Sequence, residues 1–127
     1  MNRNRCIYGV LLILWFIVSI LTSAMPSDSL LIDNILGYDK LLHAIKFIIF
    51  TVILYNFLHY SDWSYTKKLL LYIPLQFYPF LDELIQINIP SRSFSAYDIL
   101  ANYVGVLIGI VVSLSIRVFI YKKRVLL

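Results

Sequence analysis

Between positions 82 and 102 the chain carries Asp82-Glu83-Leu84-Ile85-Gln86, then Ser91-Arg92-Ser93, then Asp98 and Asn102, in surroundings that are mostly apolar. Ionisable groups at a membrane boundary are costly unless paired or wetted, so such a cluster marks a candidate site. A second group, Asp39-Lys40-Leu41-Leu42-His43, opens another apolar run. Asp39 and His43 are four apart, so a helix sets them on one face. A carboxylate beside an imidazole fixes its tautomer and raises its basicity, which is one way to build a general base. The same pair would also serve simply as the polar end of a span. We expect the two groups to meet in space.

Asp82 and Glu83 are neighbouring carboxylates and call for a counter-ion. Arg92, six residues past Gln86, is the obvious one. Arginine grips a carboxylate or a phosphate in a two-pronged geometry. It either bridges Asp82, Glu83 or Asp98 internally, or faces outward to hold an anionic headgroup. Ser95 lies three before Asp98, the spacing of a helix N-cap, and an acid in the first turn suits the helix dipole. Asn102 sits one turn deeper, where an unpaired amide is expensive; Gln86 or His43 is its expected partner. Lys46 either snorkels outward or pairs with Asp82 or Glu83. Catalytic candidates are His43, Asp39 and Glu83. The wider pocket set is Asp39, His43, Asp82, Glu83, Gln86, Arg92, Ser93, Asp98 and Asn102. One histidine among carboxylates and no cysteine ligand make a metal centre unexpected, and no cofactor motif is present: there is no Gly-rich phosphate loop and no Ser-centred nucleophile elbow.

The elements that must position these residues follow from composition. The chain has 127 residues, 61% hydrophobic and 14% charged, with a mean hydropathy of +0.82. A soluble domain averages roughly 45–50% apolar and 25% charged residues. No polar shell could cover so much apolar surface in water, so the class is an integral membrane protein of one small domain, residues 1–127. The single Cys6 excludes an internal disulfide. The formal charge is +4, but the basic residues are scattered at segment ends, which argues against a nucleic-acid partner.

Four apolar segments, about 7–24, 41–60, 67–86 and 97–120, read as transmembrane helices, each near the length that crosses roughly 30 Å of hydrocarbon. Period-2 alternation is missing, which disfavours a β-barrel. Pro74 and Pro79 fall inside the third segment, where kinks are expected. Ala101, Gly105, Gly109 and Ser113 recur every four residues, a small-residue stripe that permits close helix packing. The expectation is an all-α membrane protein, a compact four-helix bundle. Arg3, Arg5, Lys67, Lys68, Arg117, Lys122, Lys123 and Arg124 then share one side, which the positive-inside rule makes cytoplasmic together with both termini. The opposite side holds Asp28, Asp33, Asp39, Asp82, Glu83 and Asp98 with Lys40 and Arg92. Arg3, Arg5 and Thr22-Ser23-Ala24 around an apolar run also fit a cleavable leader, although the run is longer than the usual core of about 7–15 residues.

At these residues the chain resembles the VanZ-like family of small bacterial membrane proteins, named for the teicoplanin resistance protein VanZ. The motifs are Asp39-Lys40-x-x-His43, Asp82-Glu83-x-x-Gln86, Pro90-Ser91-Arg92-Ser93-Phe94-Ser95 and Asp98-x-x-x-Asn102-x-x-Gly105-x-x-x-Gly109. Ser91 stands where the family pattern usually has glycine. Lys46 stands on a face usually filled by apolar or aromatic residues. The resemblance implies a multi-span helical fold in the bacterial plasma membrane and, through the founding member, a link to glycopeptide susceptibility. It implies no known reaction. The expected function is binding of an envelope lipid, a lipid-linked cell-wall precursor or a lipoglycopeptide in an outward polar pocket. The alternative is a membrane-embedded enzyme acting on such a substrate. The oligomeric state is left open by the residues.

Overall fold

The computed structural model describes residues 3–25, 36–90 and 92–125. Asp28, Asp33 and Ser91 lie outside them. The described residues form five helices: α1 Arg3–Ser23, α2 Leu36–Tyr60, α3 Tyr65–Leu75, α4 Tyr78–Gln86 and α5 Ala96–Val125. No strand occurs among the described residues. Three helical stretches, Arg3–Ser23, Tyr38–Tyr60 and Ala96–Lys122, are long and apolar enough to cross a membrane.

The third apolar segment differs from the expected single helix. It divides into α3 and α4, of 11 and 9 residues. Neither alone reaches the roughly 20 residues a spanning helix needs. The cause is the proline pair. Pro74 lies inside α3 and Pro79 near the start of α4, and each removes an N–H from the helical ladder while crowding the preceding turn. Gln76 and Phe77 then form tight turns, bonding back to Ile73 O and Pro74 O at 3.1 Å each. The neighbouring helix repairs the break. Tyr103 Oη donates to Gln76 O at 3.1 Å, and Asn102 Nδ2 donates to Pro79 O at 3.1 Å. In a membrane, interrupted backbone survives only where other groups satisfy it.

Helix α2 lies between α1 and α5 and packs on both. The small-residue stripe is what lets α5 approach it. A methyl group placed on Gly105 would come within 3.0 Å of the Ala44 Cα, and one on Gly109 within 2.7 Å of the Thr51 Cβ. Ser113, one repeat further, is buried and returns its hydroxyl to Gly109 O at 2.7 Å. The stripe therefore serves packing within the chain. The apolar core is Phe47, Phe50, Leu54, Leu58, Tyr78 and Val106. Tyr78 is its centre: its ring lies 4.4 Å from Phe16 and 5.3 Å from both Phe47 and Phe50, centroid to centroid.

Opposite ends of the bundle have different chemistry. At one, Arg5 sits 5.1 Å from the Trp63 ring and Arg117 4.8 Å from the Tyr60 ring. Arg117 Nη2 also donates to Asn56 Oδ1 at 2.6 Å. The N-terminus of α1, the α2–α3 loop and the C-terminal half of α5 thus meet at a basic, aromatic end. The acidic motifs meet at the other.

Candidate functional site

Four helices and the α4–α5 loop bring the polar residues together. Helix α2 supplies Asp39, Lys40, His43 and Lys46 along one face, as spacings of three and four dictate. Helix α4 supplies Asp82, Glu83 and Gln86, which with Tyr78 and Pro79 form its buried side. Helix α5 supplies Asp98 and Asn102 from its first turns. Its start is capped: Asp98 N donates to Ser95 Oγ at 3.3 Å, and Ser95 N donates to Glu83 Oε2 at 3.0 Å. Glu83 therefore ties α4 to the beginning of α5.

Asp82, Glu83 and Asn102 are wholly buried, while His43, Gln86 and Asp98 are nearly so. Charges in such surroundings need partners. Lys46 Nζ pairs with Asp82 Oδ2, which selects pairing over snorkelling. Ser23 Oγ donates to Asp82 Oδ1 at 2.6 Å and accepts from Lys46 at 2.9 Å. Lys40 pairs with Asp98 at 2.8 Å. Asn102 takes His43 rather than Gln86, with Oδ1 3.0 Å from His43 Nδ1. Because the other arm of the Asn102 amide donates to a carbonyl, its oxygen must face the ring, so Nδ1 carries the proton. Asp82 Oδ2, at 3.9 Å, lies on the same side of the ring. Nε2 faces Asp39 Oδ1 at 3.8 Å and Glu83 Oε1 at 4.0 Å.

Of the two alternatives for Arg92, the internal salt bridge does not form: among the described residues Arg92 pairs with none of Asp82, Glu83 or Asp98. Its Nη1 donates to Gln86 Oε1 at 2.9 Å and its Nε to the Met25 carbonyl at 3.0 Å. Asp82 is already held by Lys46 and Asp98 by Lys40, and Gln86 and the Met25 carbonyl take the Arg92 donors instead. Arg92 thereby joins the ends of α1 and α4, and among the described residues it has no carboxylate partner.

These groups border a cavity of about 260 Å³ between α1 and α2. Its apolar wall includes Trp15, Val18, Leu42 and Ile45; its polar wall includes Asp39, His43, Lys46, Gln86 and Arg92. Asp82, Glu83, Asp98 and Asn102 lie behind this lining as supports. Ser93 is exposed and outside it. Ser19 and Ser23 are site residues that the motifs did not point to; Tyr78 Oη donates to Ser19 Oγ at 2.7 Å. Their signal was present, two hydroxyls four apart in an apolar helix and hence on one face.

Among the described residues, two buried polar atoms lack a hydrogen-bond partner, Glu83 Oε1 and Gln86 Nε2. The Arg92 contact turns the Gln86 oxygen toward the guanidinium, leaving the amide N–H2 as a buried donor with no partner among the described residues.

Comparison with known proteins agrees with the motif reading. The family model for VanZ/LLP1 matches residues 8–119, a region that contains every residue of the site. No match is found among curated proteins or among solved structures. With most of its length matched and its helices apolar enough to cross a bilayer, the chain is a membrane protein of the VanZ/LLP1 family.

Proposed function

We propose that this protein is a bacterial envelope protein that captures an amphiphile with an anionic headgroup, an envelope lipid, a lipid-linked cell-wall precursor or a lipoglycopeptide such as teicoplanin. In this reading α3 and α4 together make a fourth crossing of the plasma membrane. Both termini and the basic, aromatic end lie in the cytoplasm, as the positive-inside rule directs. The cavity then opens at the outer face.

One observation carries the reading: Arg92 lines a cavity that Trp15, Val18, Leu42 and Ile45 also line, with no carboxylate within 4.0 Å of it among the described residues. A guanidinium with no carboxylate partner among the described residues, beside a buried amide donor, suits phosphate or carboxylate oxygens. The apolar side chains of the lining suit an acyl or prenyl chain. The test is lipid capture from anionic bilayers by the purified protein, with Arg92→Gln as comparison. Arg92→Gln should insert and fold but lose most bound anionic amphiphile, and any protection against lipoglycopeptides should fall with it. Equal capture by both proteins refutes the proposal.

A catalytic reading has one supporting observation. His43 Nε2 faces Asp39 and Glu83, and both His43 and Asp39 line the cavity. His43 would then act as base and Glu83 as the second carboxylate. Burial of Glu83 behind the lining sets it away from a bound substrate, which places binding ahead of catalysis. Mass spectra of lipid and precursor extracts decide between them: a covalent change lost in His43→Ala supports the enzyme, and identical extracts support capture.

A further inference from the structure

We propose that His43 Nε2, Asp39 and Asp98 form a binding site for a divalent transition-metal cation such as Mn²⁺ or Zn²⁺, with Glu83 closing its inner side. One ligand atom from each of Asp39, His43 and Asp98 lies within 4.8 Å of the others. Donors held at about 2.0–2.4 Å from one ion span at most about 4.8 Å. One imidazole with two or three carboxylates is a donor set that such cations accept.

The second observation comes from within the protein. Glu83 is fully buried, and its Oε1 has no hydrogen-bond partner among the described residues. That oxygen points at the same His43 nitrogen, 4.0 Å away, while Asp39 approaches it at 3.8 Å. Both distances exceed the reach of an N–H···O hydrogen bond, about 2.7–3.2 Å. They suit donors arranged around a shared ion. The charges point the same way. Lys46 pairs with Asp82 and Lys40 with Asp98, but among the described residues Asp39 and Glu83 form no salt bridge to a Lys or Arg.

The far side of the ring is built as a metal-bound histidine requires. A ligating imidazole donates its other N–H to a fixed acceptor, which sets the tautomer and aims the lone pair. Asn102 Oδ1 is that acceptor at 3.0 Å, and Pro79 O holds the Asn102 amide at 3.1 Å. Asp98 keeps its second oxygen free of Lys40, and Asp39 is half-exposed, so an ion can enter from water.

The test uses the full chain in detergent micelles, stripped with a chelator and titrated with Mn²⁺, followed by electron paramagnetic resonance, and with Zn²⁺, followed by elemental analysis. The expected result is saturable binding of one ion per chain. Asp39→Asn, at a half-exposed position, should keep its helical spectrum and weaken binding by more than about tenfold; His43→Ala should abolish it. Monodisperse wild-type protein that takes up no ion at millimolar concentration overturns the proposal, as does an Asp39→Asn variant that binds like wild type. The measurement needs no lipid, so its outcome is independent of the capture reading.

Discussion

Lys46 and Asp82 form an ion pair inside the helix bundle, and Ser23 binds both partners. Three helices, α1, α2 and α4, thereby converge on two opposite charges. Removing one partner from a buried pair strands the other, at a cost of about 3–5 kcal/mol, whereas replacing both with apolar groups of similar volume is often neutral. Lys46→Met and Asp82→Leu should therefore each lower the unfolding temperature in detergent sharply, and the double variant should recover most of the loss. Additive losses in the double variant would show that the pair is not an energetic unit.

Helix α5 reaches α2 through positions that tolerate no side chain. A Cβ at Gly105 would press on the Ala44 backbone, with the Ala44 Cα at 3.0 Å. Backbone inside a helix cannot move aside, so Gly105→Ala should cost about 1–3 kcal/mol through overpacking. Gly9→Ala is the control. Its Cβ would meet the Phe57 ring at 3.3 Å, and a ring edge can shift by tenths of an ångström. A larger loss of thermal stability in Gly105→Ala than in Gly9→Ala checks the argument.

The parts of the fold that were legible in the sequence are those set by local periodicity. The long apolar runs became α1, α2 and α5, and the four-residue glycine stripe became a helix contact. The Asp39–His43 juxtaposition needed only the pitch of a helix. Pro74 and Pro79 announced a disturbance in the third segment, but not its form. Whether two prolines kink a helix or divide it depends on which groups satisfy the carbonyls at the break, and the donor to Gln76 O, Tyr103, comes from a helix more than twenty residues away. The partner of Arg92 was illegible for a related reason. Nearby acids made a salt bridge one of two readings, yet tertiary packing gives Asp82 and Asp98 to lysines and turns Arg92 to Gln86 and the Met25 carbonyl. Ser23 read as part of a small-residue run at the end of an apolar segment, and only the fold sets it against Asp82.

The tautomer of His43 is a measurable consequence of a neighbour that touches no ligand. Asn102 donates to Pro79 O and so presents oxygen, not nitrogen, to His43 Nδ1. Nitrogen-15 spectra of the histidine ring should show the proton on Nδ1 in the wild-type protein. Asn102→Leu leaves the His43 N–H and the Pro79 carbonyl buried without these bonds, at about 1–3 kcal/mol for such a group, and should mix the tautomers. An Nε2-protonated ring in the wild type would contradict the geometry.

The cavity between α1 and α2 offers a way to block capture without touching any charge. Val18 lines it and is otherwise half-exposed on the outer surface of α1. Val18→Trp adds bulk at the apolar wall, where it competes with a lipid chain for the same space. Substitutions on exposed surface usually change stability by no more than about 0.5 kcal/mol, so the unfolding temperature should stay near that of the wild type. Bound amphiphile should drop to the level of Arg92→Gln. Because one variant removes the cation and the other fills the apolar side, matching losses would show that headgroup and chain are held at one place. Undiminished capture by Val18→Trp would locate the amphiphile elsewhere on the protein, with Arg92 acting at a separate surface.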